Sequence, residues 1–157
     1  MACPETYGIG YFYLKMSTGI KIQGGIGHEH YVSKLSMRGH VLVADETTEN
    51  GGTDAGPVPT ELLLSSLAAC TLTTLRMYVD KKDWEVDRMD LEMGIRIEKT
   101  DSGQISHVST ALDISGNVTD EQKERMLEIA RKCPIHRLLT NPIQIATALK
   151  GDTDHPA

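Results

Sequence analysis

The amino-acid sequence predicts one α+β domain over residues 1–157, with a frayed tail over 151–157. Three observations predict this class. Alternating, glycine-rich segments fill the first forty-five residues, a long apolar stretch without glycine or proline follows, and a second pair of alternating segments precedes another helix. Of the 157 residues, 39% are apolar and 24% charged, which is the composition of a globular domain large enough to bury its own core.

The alternating segments of the first part of the chain predict β-strands. They are residues 9–14 and 20–22, around a turn at 17–19, and residues 31–35 and 40–44, around a turn at Arg38-Gly39. Residues 45–59 form a loop of small and polar residues. The glycine stretches at 24–27 and 51–56 lack the spacing of nucleotide-binding loops, so they predict turns or mobile loops.

A long helix is predicted over residues 60–82, because this stretch contains neither glycine nor proline. Its first half carries apolar residues on nearly every face, the pattern of a helix buried between other elements. Residues 88–99 and 105–115 alternate around a turn at 101–103 and predict a strand pair.

A second helix is predicted over residues 119–132, because Thr119 and Gln122 have the spacing of a capping box. Pro134 disfavours helical geometry at Cys133 and therefore ends this helix. A short helix over 134–139 and a last strand over 143–147 complete the predicted domain.

Composition excludes several classes of function. The formal net charge is -6 and no basic block occurs, which argues against a nucleic-acid partner. No uninterrupted run of about 18 apolar residues predicts a transmembrane helix. The first residues lack the basic and apolar regions of a signal peptide, so we expect a cytoplasmic protein. The aromatic content is only 4%, which favours a second subunit that supplies apolar surface.

The chain contains three cysteines. Cys3 lies in an exposed-looking terminus, whereas Cys70 and Cys133 lie inside apolar, structured segments. Permanent disulfides are rare in a reducing compartment, so transient redox or metal chemistry explains this pair better. A core cysteine that packs as a small apolar side chain is the alternative for Cys70.

Cys133 directly precedes Pro134, a residue favoured at the first position of a helix. The Cys133 sulfur is therefore expected at a helix N-cap, where backbone N–H groups stabilise a thiolate. His136, Arg131 and Lys132 add positive potential. The alternative is a cysteine that ends a helix and carries no chemistry.

A zinc site is a further alternative. Cys133 and His136 have a Cys-x-x-His spacing, and additional donors occur at His28, His30 and His40. However, a structural zinc site usually presents two close ligand pairs, and Cys70 has no partner within four residues. We therefore expect no metal and no cofactor.

Four strings in this order resemble the OsmC/Ohr family of osmotically induced and organic hydroperoxide resistance proteins. They are Gly51-Gly52-Thr53-Asp54-Ala55-Gly56-Pro57, Pro59-Thr60-Glu61-Leu62-Leu63, Leu67-Ala68-Ala69-Cys70 and Cys133-Pro134-Ile135-His136. The resemblance extends from the N-terminal strands to Ile145, and the two cysteines are 63 positions apart (133 − 70), much as in that family.

The resemblance implies an intertwined homodimer with two long central helices packed against antiparallel β-sheets. It also implies that Cys70 is the peroxidatic thiolate that attacks an organic hydroperoxide and becomes a sulfenic acid. Cys133 would resolve this acid as a disulfide, and a dithiol reductant, in this family often a lipoylated protein, would restore both thiols. The apolar surroundings suit fatty or aromatic hydroperoxides.

Two positions depart from the family pattern. Well-studied members activate the first cysteine with an arginine that is held by a glutamate ten positions earlier, where this chain has Thr60. The nearest acid is Glu61, and the best candidate for the arginine is Arg38, whose alternative is an exposed hairpin residue. Two further readings therefore stay open: a non-peroxidatic relative that binds a ligand or senses oxidation, and a plain structural or zinc-binding dimer.

Overall fold

The computed structural model describes residues 19–149 with the exception of 102. Cys3 and the predicted strand at 9–14 lie outside the described residues. The described part has the predicted α+β class: a three-stranded antiparallel sheet, a long two-stranded antiparallel ribbon and three α-helices.

The three-stranded sheet consists of β1 (Gln23–Ile26), β2 (Ser33–Met37) and β3 (His40–Ala44), in that order. The predicted turn between β2 and β3 is confirmed, with Arg38 and Gly39 both in the left-handed region at φ 49° and 83°. Met37 pairs with His40, so Arg38 and Gly39 form a two-residue hairpin loop. Positive φ at both positions gives the loop a twist that matches that of the two strands.

The predicted strand at 20–22 and the predicted turn at 24–27 are both wrong. Pairing starts at Gln23, and Gly24 lies opposite Leu35 inside the sheet. A Cβ atom at Gly24 would lie 2.8 Å from Leu35 Cδ2, so the glycine admits the Leu35 side chain and does not break the strand.

The loop after β3 is held by one buried carboxylate. Asp45 Oδ2 accepts hydrogen bonds from the Thr53 amide at 2.9 Å, from Thr53 Oγ1 at 2.6 Å and from the Ala55 amide at 3.1 Å. Asp45 Oδ1 accepts a bond from the Glu46 amide at 2.8 Å. The hydrogen bond from Thr53 and those from the three amides lower the pKa of Asp45 from 3.8 to about 2. This part of the chain, including a 3₁₀ turn at Thr48–Asn50, is therefore ordered.

The long helix α1 spans Pro59–Lys81, within one residue of its predicted ends. Its buried side chains recur every fourth residue, at Leu67, Thr71, Leu75 and Val79. The other faces are half-buried or exposed, so a single chain covers only one face of this helix. The prediction of burial on every side is therefore not met within one chain.

Helix α1 is long and apolar enough to cross a membrane by length and composition alone. The sequence-based expectation had excluded such a helix, because no uninterrupted apolar run is present. The core helix of a soluble protein passes the same test, and α1 packs against a strand and two further helices of the chain.

Strands β4 (Glu85–Thr100) and β5 (Gly103–Asn117) form the ribbon and confirm the second predicted strand pair. Strand β4 packs on α1. Helix α2 (Asp120–Ala130) begins at the predicted capping box, in which Thr119 Oγ1 accepts from the Gln122 amide and Gln122 Oε1 accepts from the Thr119 amide. It ends two residues before the predicted position.

Helix α3 (Pro134–Thr140) also packs on α1. The fully enclosed core of the chain lies between α1, the ribbon and α2, and consists of Leu75, Val79, Val86 and Met126. The predicted last strand at 143–147 is wrong. These residues are exposed and have no strand partner in the described chain, with Ile145 86% exposed.

Candidate functional site

Cys133 is the N-cap residue of α3. Its extended backbone, at φ -62° and ψ 147°, is followed by Pro134 at the first helical position. The Cys133 sulfur accepts a hydrogen bond from the His136 amide at 3.3 Å, as the sequence predicts. The residue is 0% exposed, so this sulfur has no contact with solvent.

Cys70 reaches the same helical turn from α1. The Ile135 amide donates a hydrogen bond to the Cys70 sulfur at 3.5 Å. The fold thus brings two cysteines that are 63 positions apart (133 − 70) to consecutive amides of one turn. Cys70 is half-buried, whereas Cys133 is buried, and both are free thiols.

Thr71 adds a hydroxyl group to this site. Its Oγ1 lies 3.5 Å from the Cys133 sulfur, and the residue is only 3% exposed. When Cys133 is a thiolate, the hydroxyl is the only possible donor in this contact, because a thiolate has no proton to give. Two donors therefore converge on Cys133, the His136 amide and the Thr71 hydroxyl.

A cavity of about 530 Å³ lies between α1, the ribbon, α2 and α3. It reaches the site through Thr71 and His136, which bond the Cys133 sulfur, and neither cysteine lines it. Its apolar wall consists of Leu67, Met93, Val108, Leu112, Leu127, Ala130 and Leu139. Its polar wall consists of Thr71, Ser106, Thr110, Arg131, His136 and Thr140. A mostly apolar cavity with a few polar groups is the usual form of a small-molecule site.

The two charged candidates lie elsewhere. Arg38 is exposed at the β2–β3 turn, and no hydrogen bond or ion pair among the described residues joins it to either cysteine of the site. Glu61 is exposed in the first turn of α1, where its Oε2 accepts a hydrogen bond from the Val58 amide at 2.9 Å. Glu61 therefore caps a helix, and Thr60 beside it is exposed.

The described part of the chain contains no cluster of side chains suited to bind a metal ion. Within residues 19–149, residue 102 excepted, no group of three or more His, Cys, Asp and Glu side chains could hold a metal ion. His28 and His30 are exposed and precede β2, and His40 is exposed in β3. The Cys133–His136 spacing serves the helix cap instead.

Two contributors to the site were missed by the sequence analysis. The Ile135 amide carries no side-chain signature, so its contact with Cys70 depends on the tertiary fold. Thr71 did carry a signal, because it shares a four-residue spacing with Leu67, Leu75 and Val79, which places its hydroxyl on the buried face of α1.

This arrangement supports thiol chemistry. Amide N–H groups at the start of a helix stabilise negative charge on sulfur, and each cysteine receives one such bond. Two thiols held at one helical turn can be joined by oxidation and separated by reduction.

Comparisons with known proteins agree with this architecture. A profile of the family described as OsmC-like protein matches residues 51–148. No curated protein sequence matches the chain.

Several solved structures are similar to this chain. An OsmC-like protein from Mycoplasma pneumoniae is 20% identical, with a TM-score of 0.67 over 79% of this chain and 89% of that one. An OsmC-like protein of unknown function from Vibrio cholerae is 14% identical, with a TM-score of 0.66 over 78% and 94%. The organic hydroperoxide resistance protein OsmC from Legionella pneumophila is 16% identical, with a TM-score of 0.62 over 79% and 90%. The TM-scores show that these proteins share the fold of this chain, and sequence identities of 20% or less support no conclusion beyond the fold.

Proposed function

The chain belongs to the OsmC-like protein family, and from this premise we propose that it is a cysteine-based redox protein that reduces organic hydroperoxides. Cys70 is the peroxidatic thiolate and Cys133 the resolving thiol. The observation that carries this proposal is the pair of hydrogen bonds from consecutive amides, Ile135 to Cys70 and His136 to Cys133. The name of the Legionella pneumophila relative supports the same substrate class.

The roles of the two cysteines follow from their exposure. Cys70 is half-buried and therefore the sulfur that a hydroperoxide can reach, whereas Cys133 is fully enclosed. The Cys70 thiolate attacks the distal oxygen, so an S–O bond forms, the O–O bond breaks and the alkoxide leaves as an alcohol after taking up a proton. The Cys133 thiolate then attacks the sulfenic acid sulfur, and a disulfide forms as hydroxide leaves. The hydroxide takes up a proton and becomes water.

The cavity beside the site supports an organic substrate. Its volume of about 530 Å³ and its mostly apolar wall suit an aromatic or fatty hydroperoxide better than hydrogen peroxide. Regeneration requires a dithiol, for which a lipoylated protein is the partner that the family resemblance implies. We also propose a cytoplasmic location, where thiols are kept reduced.

The proposal is tested by mass spectrometry of the reduced protein before and after one equivalent of cumene hydroperoxide. We expect loss of two hydrogens, with the Cys70 and Cys133 peptides joined under non-reducing conditions. Cys70→Ser abolishes hydroperoxide consumption, and Cys133→Ser gives one turnover and a trapped sulfenic acid on Cys70. Wild-type consumption by both variants would contradict the two-cysteine mechanism.

A second candidate is a non-peroxidatic relative that uses the same thiols to bind a ligand or to sense oxidation. Three observations favour it: Glu61 caps α1, Thr60 replaces the expected acid, and no guanidinium bonds to Cys70 among the described residues. The same experiment separates the two candidates. Thiols that stay free with cumene hydroperoxide but are joined by diamide would indicate the second.

We further propose a homodimer, because α1 leaves apolar side chains such as Leu63 and Met77 uncovered within one chain. Light scattering would then give twice the 17.2 kDa mass of one chain. A mass of one chain at micromolar concentration would contradict this.

A further inference from the structure

We propose that Thr71 is a positioning residue that makes Cys133 the leaving sulfur when a dithiol reduces the Cys70–Cys133 disulfide. This inference rests on the proposed function, because it concerns the regeneration of the same cysteine pair. Its consequence is directional: the incoming thiol bonds to Cys70 and never to Cys133.

The two sulfurs have unequal surroundings. Cys133 is 0% exposed and has two donors, the His136 amide at 3.3 Å and the Thr71 hydroxyl at 3.5 Å. Cys70 is half-buried and has one, the Ile135 amide at 3.5 Å. A thiolate that forms on Cys133 therefore receives one hydrogen bond more than a thiolate on Cys70, and these bonds offset the cost of burying its charge. The thiolate with more donors is the better leaving group in disulfide exchange.

Access favours the same direction. Neither cysteine lines the cavity, so access is decided by the exposure of each sulfur. Cys133 is 0% exposed and lies behind Thr71 and His136, which bond its sulfur and do line the cavity, whereas Cys70 is half-buried. The attacked sulfur must accept the incoming thiolate along the S–S axis, and the partly exposed Cys70 is the one that leaves room for it.

The exchange balances in two steps. A thiolate of the dithiol attacks the Cys70 sulfur, a mixed disulfide forms, the S–S bond to Cys133 breaks and its electron pair remains on the Cys133 sulfur. The second thiolate of the reductant attacks the mixed disulfide, which closes the oxidised reductant into a ring and releases the Cys70 thiolate. The two protons lost by the dithiol end on the two cysteines.

The hydroxyl of Thr71 is well suited to this role. The side chain is buried at 3% exposure, so water does not compete for its proton. Its contact with Cys133 joins α1 to the start of α3, across 62 positions of the chain. Removing the hydroxyl while keeping the shape of the side chain therefore changes the stabilisation of Cys133 and leaves the packing of α1 in place.

The test uses protein whose disulfide is formed with diamide, so it does not depend on hydroperoxide chemistry. Thr71→Val and Thr71→Ala lack the hydroxyl, and Thr71→Ser retains it. Thr74→Val is the matched control, because Thr74 lies three residues further along α1 and is not bonded to either described cysteine. Melting temperatures confirm that each variant is folded.

Two measurements are made. The rate of disulfide reduction by dithiothreitol is expected to fall about tenfold in Thr71→Val and Thr71→Ala, and to stay within about twofold of wild type in Thr71→Ser and Thr74→Val. Brief treatment with 2-mercaptoethanol, followed by N-ethylmaleimide in denaturant so that buried thiols react, is expected to place the mixed disulfide on Cys70 and the maleimide on Cys133.

The proposal is overturned if Thr71→Val and Thr71→Ala are reduced as fast as wild type, or if Thr71→Ser is as slow as they are. A mixed disulfide on Cys133, or no Cys70–Cys133 disulfide after diamide, also overturns it. Failure of the proposed function looks different: cumene hydroperoxide then leaves both thiols free while the diamide experiment still gives the expected rates.

Discussion

The N-terminal sheet and the part of the chain from α1 to α3 differ in how they are stabilised. The sheet, β1 to β3, buries only Ala44 at its end, and Val41 in its last strand is 66% exposed. The α1–α3 part encloses a core of its own around Leu75. Apart from marginal contacts, the strands of the sheet contact no helix and no strand of the described chain except one another, and the loop around Gly56 lies against β3.

The comparison distinguishes the part of the fold that one chain packs by itself from the part whose apolar side chains stay exposed in one chain. The cysteine site is built entirely by α1 and α3, next to the enclosed core, so its geometry depends on packing within one chain. The sheet exposes the apolar side chains of Ile26, Val41 and Leu42, which the proposed homodimer would cover. The two parts are connected by the loop that Asp45 and Gly56 hold in place.

The largest expected effect is on the enclosed core. Leu75→Ala removes a fully buried side chain and should lower the free energy of unfolding by about 2–5 kcal/mol, because the transfer term and the cavity term add. Urea unfolding at low protein concentration measures this change. The matched variant Val41→Ala, on the exposed sheet, should change it by less than about 0.5 kcal/mol.

Equal losses for Leu75→Ala and Val41→Ala would show that the sheet is as well covered as the core and would remove the contrast. A loss for Val41→Ala that grows with protein concentration would instead identify a second chain as its cover.

The second effect concerns the connection between the two parts. A Cβ at Gly56 would lie 2.4 Å from the carbonyl oxygen of Val43 and 2.9 Å from its carbon, and these backbone atoms cannot move aside. Gly56→Ala should therefore destabilise the protein by about 1–3 kcal/mol in urea unfolding. Gly25→Ala is the control, because a Cβ there has no atom within 4 Å. Equal stability of both variants would show that the loop has a second acceptable position.

The sequence predicted those parts of the fold that local signals determine. The bounds of α1 were correct within one residue, because a stretch without glycine or proline favours a helix locally. The β2–β3 turn and the N-cap position of Cys133 were predicted for the same reason. The family resemblance added the pairing of Cys70 with Cys133, which no local pattern contains.

The wrong predictions concern features that depend on distant partners. Residues 143–147 alternate like a strand but pair with no strand of the described chain. Helix α1 carries apolar side chains on more faces than the described chain covers. The glycines at 24 and 25 resembled a turn, yet both lie in β1. Gly24 has no side chain, and the Leu35 side chain of the neighbouring strand occupies the space where a Cβ would lie. The contact of Ile135 with Cys70 joins backbone to sulfur and was invisible in the residue types.

The smallest expected effect is a change in how stability depends on pH, again at the connection between the two parts. Hydrogen bonds from Thr53 and neighbouring amides lower the pKa of Asp45 to about 2 in the folded protein, against 3.8 ordinarily. A carboxyl group with a lowered folded pKa contributes stability that is fully present above its ordinary pKa and is lost as the pH falls through the folded value. The wild-type protein should therefore lose this contribution between about pH 4 and about pH 2.

Asp45→Asn removes the titrating group and should flatten the pH dependence of the free energy of unfolding in that window, while lowering stability at neutral pH. The reduced stability at pH 7 follows because the NH2 group of asparagine cannot accept a hydrogen bond. It must face either the Glu46 amide that donates to Asp45 Oδ1 or the three donors to Oδ2 from Thr53 and Ala55. Asp54→Asn, an exposed aspartate of the same loop, should leave the profile unchanged. If Asp54→Asn flattened the profile as much as Asp45→Asn, the net charge of the loop would explain the pH dependence, and the hydrogen bonds from Thr53 and Ala55 to Asp45 would not.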